Sequence, residues 1–374
     1  MMRAIHLLVT AYSIDPNGGS EEGNAWRWVE GALESGHQVT LVTRPQYVSS
    51  IETKYLENSH WNLIVRPKPD SNLGIKLPSA IDLYVRYYLW QRSISRLFSE
   101  DERNSFDCGH HTSWGSFTLG SGLADLGIPY IFGPCGFISP KKQARPYFGK
   151  AWKIEKLRLL AEKLIFSKLS FVRRGLANAS VALAGNSEAR RQAESLGAKD
   201  VRDFLPEGID DSLIVDEPQA GIVSQEIVWV ARFMPRKAAS LAIDAFAIVL
   251  EDYPAAKLVM VGDGPTFGAA QDQVDAMNLR HAVEFTGRLA WNEVQHKYLH
   301  ARAFLFSSLR DSTGAQVLEA AAKGLPIIGL YTTGIPEWLP KGAGFFGETQ
   351  NGPLEKVLAQ QIVCVLNLSD AELF

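Results

Sequence analysis

The sequence predicts two doubly wound parallel α/β domains in series, and three observations carry that prediction. Short β-branched or apolar runs alternate with helical stretches from the amino terminus onward. The same alternation restarts at Glu226. Between the two blocks lies Leu-Pro-Glu-Gly-Ile-Asp-Asp-Ser-Leu-Ile (205–214), where Pro206, Gly208 and two aspartates interrupt regular structure. The expected domains are therefore 1–205 and 206–374.

The first block opens as a βαβ unit: a strand in AIHLLVT, a helix in EGNAWRWVEGALESG, a strand in QVTLVT. LIVRPK, FDCGHH, IPYIFGP and SVALAGNS follow as further strands, several ending in Gly, Pro or polar residues. The second block gives strands in EIVWVAR, KLVMVGDG, VEFTGR, AFLFSS and PIIGL. Helices are expected over 240–250, near 267–278, near 291–300 and in AQVLEAAAKG. Two such sheets are expected to face each other across a cleft lined by the carboxyl ends of their strands, where ligands of these folds gather.

Composition narrows the function classes. The 374 residues are 46% hydrophobic, enough for two packed cores. With 38 basic and 41 acidic residues the formal charge is −3, so no global field recruits nucleic acid. Cys108, Cys135 and Cys364 lie far apart in no metal or disulfide spacing, which fits a reducing cytosol. IHLLVTAYS has a strand's length and runs into a Gly-rich loop, so it does not read as a signal peptide. No uninterrupted apolar run approaches the ~18 residues of a membrane span.

Four turns remain as candidate sites. Gly18 and Gly19 follow the first strand and precede a helix, exposing backbone N–H groups to an anion or a sugar hydroxyl. Arg232 and Lys237 are five residues apart around Pro235, where a loop can turn a planar guanidinium and a mobile ammonium toward one diphosphate. Asp311 lies in a Ser-Thr-Gly turn after a strand, with Gly314 at the entrance of the next helix and Glu319 about a turn and a half inside it. The fourth turn, GHHTSW at 109–114, carries His110 and His111. Taken singly, each also reads as an ordinary strand-to-helix turn, a solvated basic loop or an exposed helix carboxylate.

In order along almost the whole chain, these segments resemble the retaining glycosyltransferases of family 4, group 1 glycosyl transferases with the two-domain Rossmann-like GT-B fold. PNGGSEEGNAWRWVEGALESGHQVTLVTR is similar to the family's glycine loop, first helix and second strand. ARFMPRK is similar to its donor loop, and MVGDGP, FTGRL and LEAAAKGLPIIG to its further donor-domain signatures. The resemblance implies that Arg232 and Lys237 hold the diphosphate of a nucleotide sugar and that Glu319 binds the ribose. It sets Asp311 against the donor sugar as the first acid of a pair eight residues apart, with seven between them. Gly18, Gly19, Gly262, Gly287, Arg288, Thr313, Gly314 and Ala315 are implied around the donor, and His110 or His111 occupies the place of an active-site histidine. Two departures stand out: D-S-T-G replaces the usual E-G-F-G, and Ala238 follows Lys237 where the family commonly has Gly.

The implied activity is transfer of a sugar to a hydroxyl acceptor with retention, in polysaccharide or lipid-linked glycan synthesis. The cation pair makes a metal unnecessary, and no other cofactor is expected. A nucleotide-binding scaffold of reduced activity, and a GT-B epimerase or phosphorylase, are the alternatives. The stretch 141–174 carries eleven basic residues against Glu155 and Glu162, with Trp152, Leu157, Leu160, Leu164, Phe166 and Phe171 interleaved. It reads either as a surface for anionic lipid or as a solvated helix packed by its apolar stripe on the first domain. The expected location is the cytoplasm, at the inner face of the plasma membrane. The chain stops at SDAELF, early for the returning terminal helix common in the family.

Overall fold

The computed structural model describes residues 3–18, 20–71, 74, 79–209, 211–215, 224–369 and 372. The chain divides into two compact units, Met1–Phe137 with Arg158–Glu207 and Ile138–Leu157 with Gly208–Phe374. This differs from the expected division at 205/206: the second unit also takes Ile138–Leu157 from the middle of the amino-terminal half. The reason is apolar burial. Ala144 and Phe148 sit in the same buried cluster as Trp229, Phe233 and Ala238, with Tyr147 and Trp152 packed against it.

The elements, in chain order, begin β1 (His6–Ala11), α1 (Ser20–Glu34), β2 (Gln38–Thr43), α2 (Val48–Glu57), β3 (Asn62–Pro67), α3 (Ser79–Arg92) and α4 (Glu100–Asn104). They continue with β4 (Cys108–Ser113), β5 (Tyr130–Cys135), α5 (Arg145–Phe148), α6 (Ala151–Leu164), α7 (Ser170–Ala177), β6 (Val181–Ala184), α8 (Ser187–Leu196) and β7 (Val201–Asp203). The later elements are β8 (Glu226–Val230), α9 (Ala239–Asp252), β9 (Lys257–Val261), α10 (Phe267–Ala276), β10 (Val283–Gly287) and α11 (Trp291–His300). After them come β11 (Ala303–Phe306), α12 (Ala315–Ala322), β12 (Ile327–Leu330), β13 (Gly344–Gly347) and α13 (Leu354–Asn367).

Among the described residues the first unit holds a sheet in the order β3-β2-β1-β4-β5-β6-β7 and the second one in the order β10-β9-β8-β11-β12-β13. The registered pairs are parallel throughout. Parallel strands are covered on both faces, which is why β1, β2, β4, β11 and β12 are buried along nearly every residue instead of alternating. Helix α9 is apolar almost all round for the same reason, burying Leu241, Ala242, Ile243, Ala245, Phe246 and Val249. The order of each sheet reverses once, between β1 and β4 and between β8 and β11. At these two places the loops leaving adjacent strands diverge and leave room for a ligand.

Candidate functional site

In the second unit the loops after β8, β9 and β10 are stitched together by backbone. Ala231 N–H donates to the Val261 carbonyl (3.1 Å), Phe233 N–H to that of Asp263 (2.8 Å), and Gly262 N–H to that of Gly287 (2.8 Å). Gly262, at φ 128°, is required: a Cβ there would lie 2.1 Å from the Ala231 carbonyl oxygen. Gly264, at φ 146°, stands in the same relation to Phe233. Two glycines of the GDG run therefore serve the close approach of the Ala231–Lys237 loop, and Gly287 takes the positive φ (70°) of the following turn.

That loop ends in a 3-10 turn over Pro235–Lys237, which aims Lys237 inward. The Ser307 hydroxyl, at the end of β11, donates to the carbonyls of Lys237 (2.9 Å) and Ala238 (3.1 Å) and accepts the Trp229 indole N–H (2.9 Å). Leu309 N–H donates to the Arg236 carbonyl (2.8 Å). Lys237, buried at 8% exposure, ion-pairs with Asp311 through Nζ and Oδ2. Arg236 reaches the other carboxylate oxygen (3.1 Å), and the Ser308 hydroxyl donates to Oδ2 (3.2 Å). The structure thus brings Lys237 and Asp311 together as one cluster.

Arg232 is not part of that cluster. Its side chain is exposed and makes no hydrogen bond or ion pair among the described residues. The cation that joins Lys237 on Asp311 is Arg236, which sequence reasoning passed over. Its signal was the PRK triplet, because a 3-10 turn through a proline sets neighbouring side chains on one side. Asp311, expected against a donor sugar, is engaged by these two cations.

Helix α12 begins at Ala315, just beyond this pair. Thr313 is buried and its hydroxyl has no hydrogen-bond partner among the described residues, beside a helix start whose first N–H groups lack intrahelical acceptors. Gly314 has φ −168°, extended backbone open to any residue, and a Cβ there would meet only the flexible Gln316 side chain. Its conformation therefore does not demand glycine. Glu319 is half-buried and accepts from Gln295 Nε2 (3.3 Å) on α11. Burial, then the Glu319 charge, pushes the Tyr298 phenol well above its ordinary value. Arg288 is exposed at the mouth of the turn after β10.

The segment Ile138–Leu157 buttresses this site. Glu155 of α6 pairs with Arg310, the residue before Asp311 (3.4 Å), and the Tyr147 hydroxyl donates to Glu355 (2.7 Å). Beyond Glu155 the same helix exposes Leu157, Leu160 and Leu164, with Ile154 before them and Ile165 after, whereas Phe171 is buried and Phe166 packs on the core of the first unit.

In the first unit both histidines are buried, which corrects the expectation that one opens to a ligand. Central β4 is covered on both faces, so strand alternation sends the rings into two interiors. His110 Nε2 bonds the Gly133 carbonyl oxygen (2.8 Å) and its ring meets the edge of Trp28. His111 lies between the Tyr87 hydroxyl (2.8 Å) and the Ser121 hydroxyl (3.0 Å). Desolvation lowers His110 to about 4 and His111 to about 3, so both are neutral near pH 7. Gly18 folds back through its N–H to the Asp15 carbonyl (3.0 Å). The tightest approach in this loop belongs to Gly23, where a Cβ would lie 2.2 Å from the Gly18 oxygen. Gly19 lies outside the described residues. Among those residues, no group of three His, Cys, Asp or Glu side chains is gathered for a metal, and no helix is long and apolar enough to cross a membrane.

Residues 222–362, which hold the whole of this loop cluster, match the family model described as glycosyl transferases group 1. That part of the chain, within the second unit, is similar to the glycosyl transferases group 1. A phosphatidylinositol N-acetylglucosaminyltransferase subunit of Arabidopsis thaliana is 25% identical over 173 residues, 46% of this chain and 38% of that protein. The alpha-monoglucosyldiacylglycerol synthase of Streptococcus pneumoniae is 32% identical over 102 residues, 27% of this chain and 23% of that protein. The matched region thus spans well under half of each relative. The structure of Anabaena HepE with UDP and glucose is similar in fold over 97% of this chain and 90% of that one, with a TM-score of 0.56 at 16% identity. The two units have the GT-B fold.

The geometry generates two predictions. Ala238, one of the two departures noted in the sequence, has φ 49° and ψ 54°. An L-residue there costs about 1–2 kcal/mol, against the ~0.5–1 kcal/mol that glycine loses in chain entropy. Ala238→Gly should therefore leave stability unchanged or raise it by up to about 1 kcal/mol, read from thermal or denaturant midpoints; a clear loss would contradict the strain. The histidines give a pH window. Their folded-state pKa values lie below the unperturbed 6.5, so the unfolded chain takes up protons first as pH falls. Stability is full above pH 6.5 and is lost toward pH 4, by up to about 1.4 kcal/mol per unit per histidine. Thermal melts between pH 7 and 4.5 should show the drop, with a shallower slope in His111→Gln; an equal slope would remove His111 as its source.

Proposed function

We propose that this protein is a retaining, metal-independent glycosyltransferase of family 4 that moves a sugar from a nucleotide diphosphate sugar to a hydroxyl acceptor. The observation that carries the reading is the pairing of Lys237 and Arg236 on Asp311, at the sheet reversal of the unit similar to group 1 and beside the start of α12. A diphosphate is the ligand that two cations and a helix start suit without a metal. On its arrival Lys237 exchanges one anionic partner for another, Arg232 swings in from solvent, and the Thr313 hydroxyl gains an acceptor. Glu319 takes the ribose hydroxyls.

In the transfer step the acceptor hydroxyl oxygen bonds to the anomeric carbon on the face from which the diphosphate departs. The bond from that carbon to the phosphate oxygen breaks, and the departing phosphate takes the acceptor's proton. The cations and the α12 N–H groups neutralise the charge that develops on the leaving oxygens, which lowers the barrier electrostatically. The two histidines, neutral and hydrogen-bonded, act by holding the first unit's architecture.

Both curated relatives carry a lipid in their names, and α6 supplies a surface suited to one. Ile154, Leu157, Leu160, Leu164 and Ile165 are 49–66% exposed among Lys150, Lys153, Lys156 and Lys163. Glu155 and Glu162 are spent on Arg310 and Arg158. We infer that this surface rests on anionic lipid, that the protein works in the cytoplasm at the inner face of the plasma membrane, and that its acceptor is a glycan or is lipid-linked.

A panel of nucleotide sugars with released nucleoside diphosphate as readout tests the donor reading. Glu319→Ala should weaken donor binding and turnover together by about tenfold to a hundredfold, the worth of a charge-assisted hydrogen bond. Asp311→Ala should cut turnover while leaving bare nucleoside diphosphate affinity equal or tighter, because it removes the competitor for Lys237. Matched loss of bare-nucleotide affinity would contradict the Asp311 role, and activity restored only by divalent ion after chelation would contradict metal independence. The lipid surface is tested by sedimentation with vesicles: binding to acidic vesicles that falls with added salt is expected, and equal sedimentation with neutral vesicles would remove the electrostatic case.

A further inference from the structure

Behind Glu319 stands a buried amide that the donor contacts do not use. Gln295 lies in the middle of α11 and is 7% exposed. Its Nε2 donates to Glu319 Oε2 on α12 (3.3 Å). Chemistry fixes which end of the amide faces the carboxylate: a carboxylate only accepts, so the NH2 group and not the oxygen must meet it. The Oε1 end is then left buried, with no hydrogen-bond partner among the described residues.

Packing does not account for this amide. Its neighbours on the two helices are apolar: Tyr298 of α11 and Val317 and Ala320 of α12 belong to one buried cluster, against which Val294 packs. A methionine or leucine at 295 would fill the same place without burying an unpaired carbonyl, which destabilises a fold. Among the described residues the hydrogen-bonding partner that Gln295 does have is Glu319. The Tyr298 phenol, three residues along α11, is kept protonated by burial and by the Glu319 charge, so it adds no second charge beside the carboxylate.

A glutamate side chain has three rotatable bonds, and the last of them lets the carboxylate plane turn broadly. Gripping neighbouring ribose hydroxyls requires that plane in one orientation, because each hydroxyl must meet its own oxygen lone pair. A donor on Oε2 from the adjacent helix sets the plane before the ligand arrives and removes an ordering step from binding. It also sharpens selectivity. A held carboxylate leaves a lone pair unpaired when the nucleotide lacks a hydroxyl, whereas a mobile one turns to water and discriminates less.

We propose that Gln295 is the positioning residue of Glu319 and, through it, sets the preference of this site for ribose over deoxyribose nucleotides. The proposal rests on the reading of Glu319 as the carboxylate that takes the ribose. Calorimetric titration of the intact protein with UDP, GDP and their 2′-deoxy counterparts tests it. The ribonucleotide that binds more tightly should be favoured over its 2′-deoxy form by about tenfold or more, and Glu319→Ala should abolish that preference. Gln295→Met, close in length and volume, should reduce the preference by about threefold or more. It should also melt at or above the wild-type temperature, because the unpaired carbonyl is gone; Gln295→Leu is the second variant, with the same expectation. A merely structural amide would give the reverse, a lower melting temperature with the preference intact. That result, or loss of the fold in both variants, would overturn the proposal. An intact preference in the Gln295 variants beside a lost one in Glu319→Ala would overturn it alone. Absence of nucleotide binding, or a preference that survives Glu319→Ala, would overturn the ribose reading and this proposal with it.

Discussion

The carbonyls of Lys237 and Ala238 converge on one hydroxyl, that of Ser307, and the second unit's chemistry depends on this meeting. A buried backbone oxygen needs a partner, and here two share one that is itself fixed by the Trp229 indole. The loop leaving β8 is thereby locked to the end of β11, across the point where the sheet order reverses. From there Lys237 extends to Asp311, its ammonium also lying over the Phe306 ring (5.3 Å). An ammonium held at 8% exposure without an anion would be expensive, so the turn after β11 supplies its counterion, Asp311.

The buttress behind that lock comes from far away in sequence. Phe148 and Ala144 enter the core beneath Phe233 and Ala238, while Glu155 meets Arg310 one residue before Asp311. Two layers of constraint, apolar beneath and ionic beside, act on the two strand-end turns that supply the cations and the acid. Such support is what a site needs when its binding groups sit on loops rather than on strands or helices.

Much of this was legible in the sequence because parallel α/β units repeat a strong signal. β8 through β12 coincide with the apolar runs that mark them, and α9 to α12 lie within two or three residues of their expected spans. Short edge strands were not legible: Val-Arg-Asp of β7 has two exposed residues of three, and Gly-Phe-Phe-Gly of β13 is bracketed by glycines. The excursion of Ile138–Leu157 was hidden because its basic surface residues dominate the pattern, and the few side chains that decide its packing are spread between them. At the candidate site, the sequence singled out Lys237, Asp311 and Glu319 but not the partners they meet. Arg236 in place of Arg232 is a consequence of turn geometry, and the burial of both histidines follows from cover on two faces of β4, which a local sequence window does not contain.

The departure of Asp311 from the family's glutamate is consistent with where the turn lies. Its backbone is pinned by the Gly334 N–H to the Asp311 carbonyl (3.1 Å), and the carbonyl of Ser308 is in turn held by the Thr332 hydroxyl (2.7 Å). From a turn fixed this close to the Pro235–Lys237 loop, a carboxylate on a short stem already reaches Lys237, Arg236 and the Ser308 hydroxyl. A glutamate would carry its charge one methylene farther and would have to fold back to keep both cations. The aspartate is thus held as the counterion of both cations. Under the proposed reading the donor's two phosphates take over these cations, which would tie the identity of this one residue to the charge of that ligand.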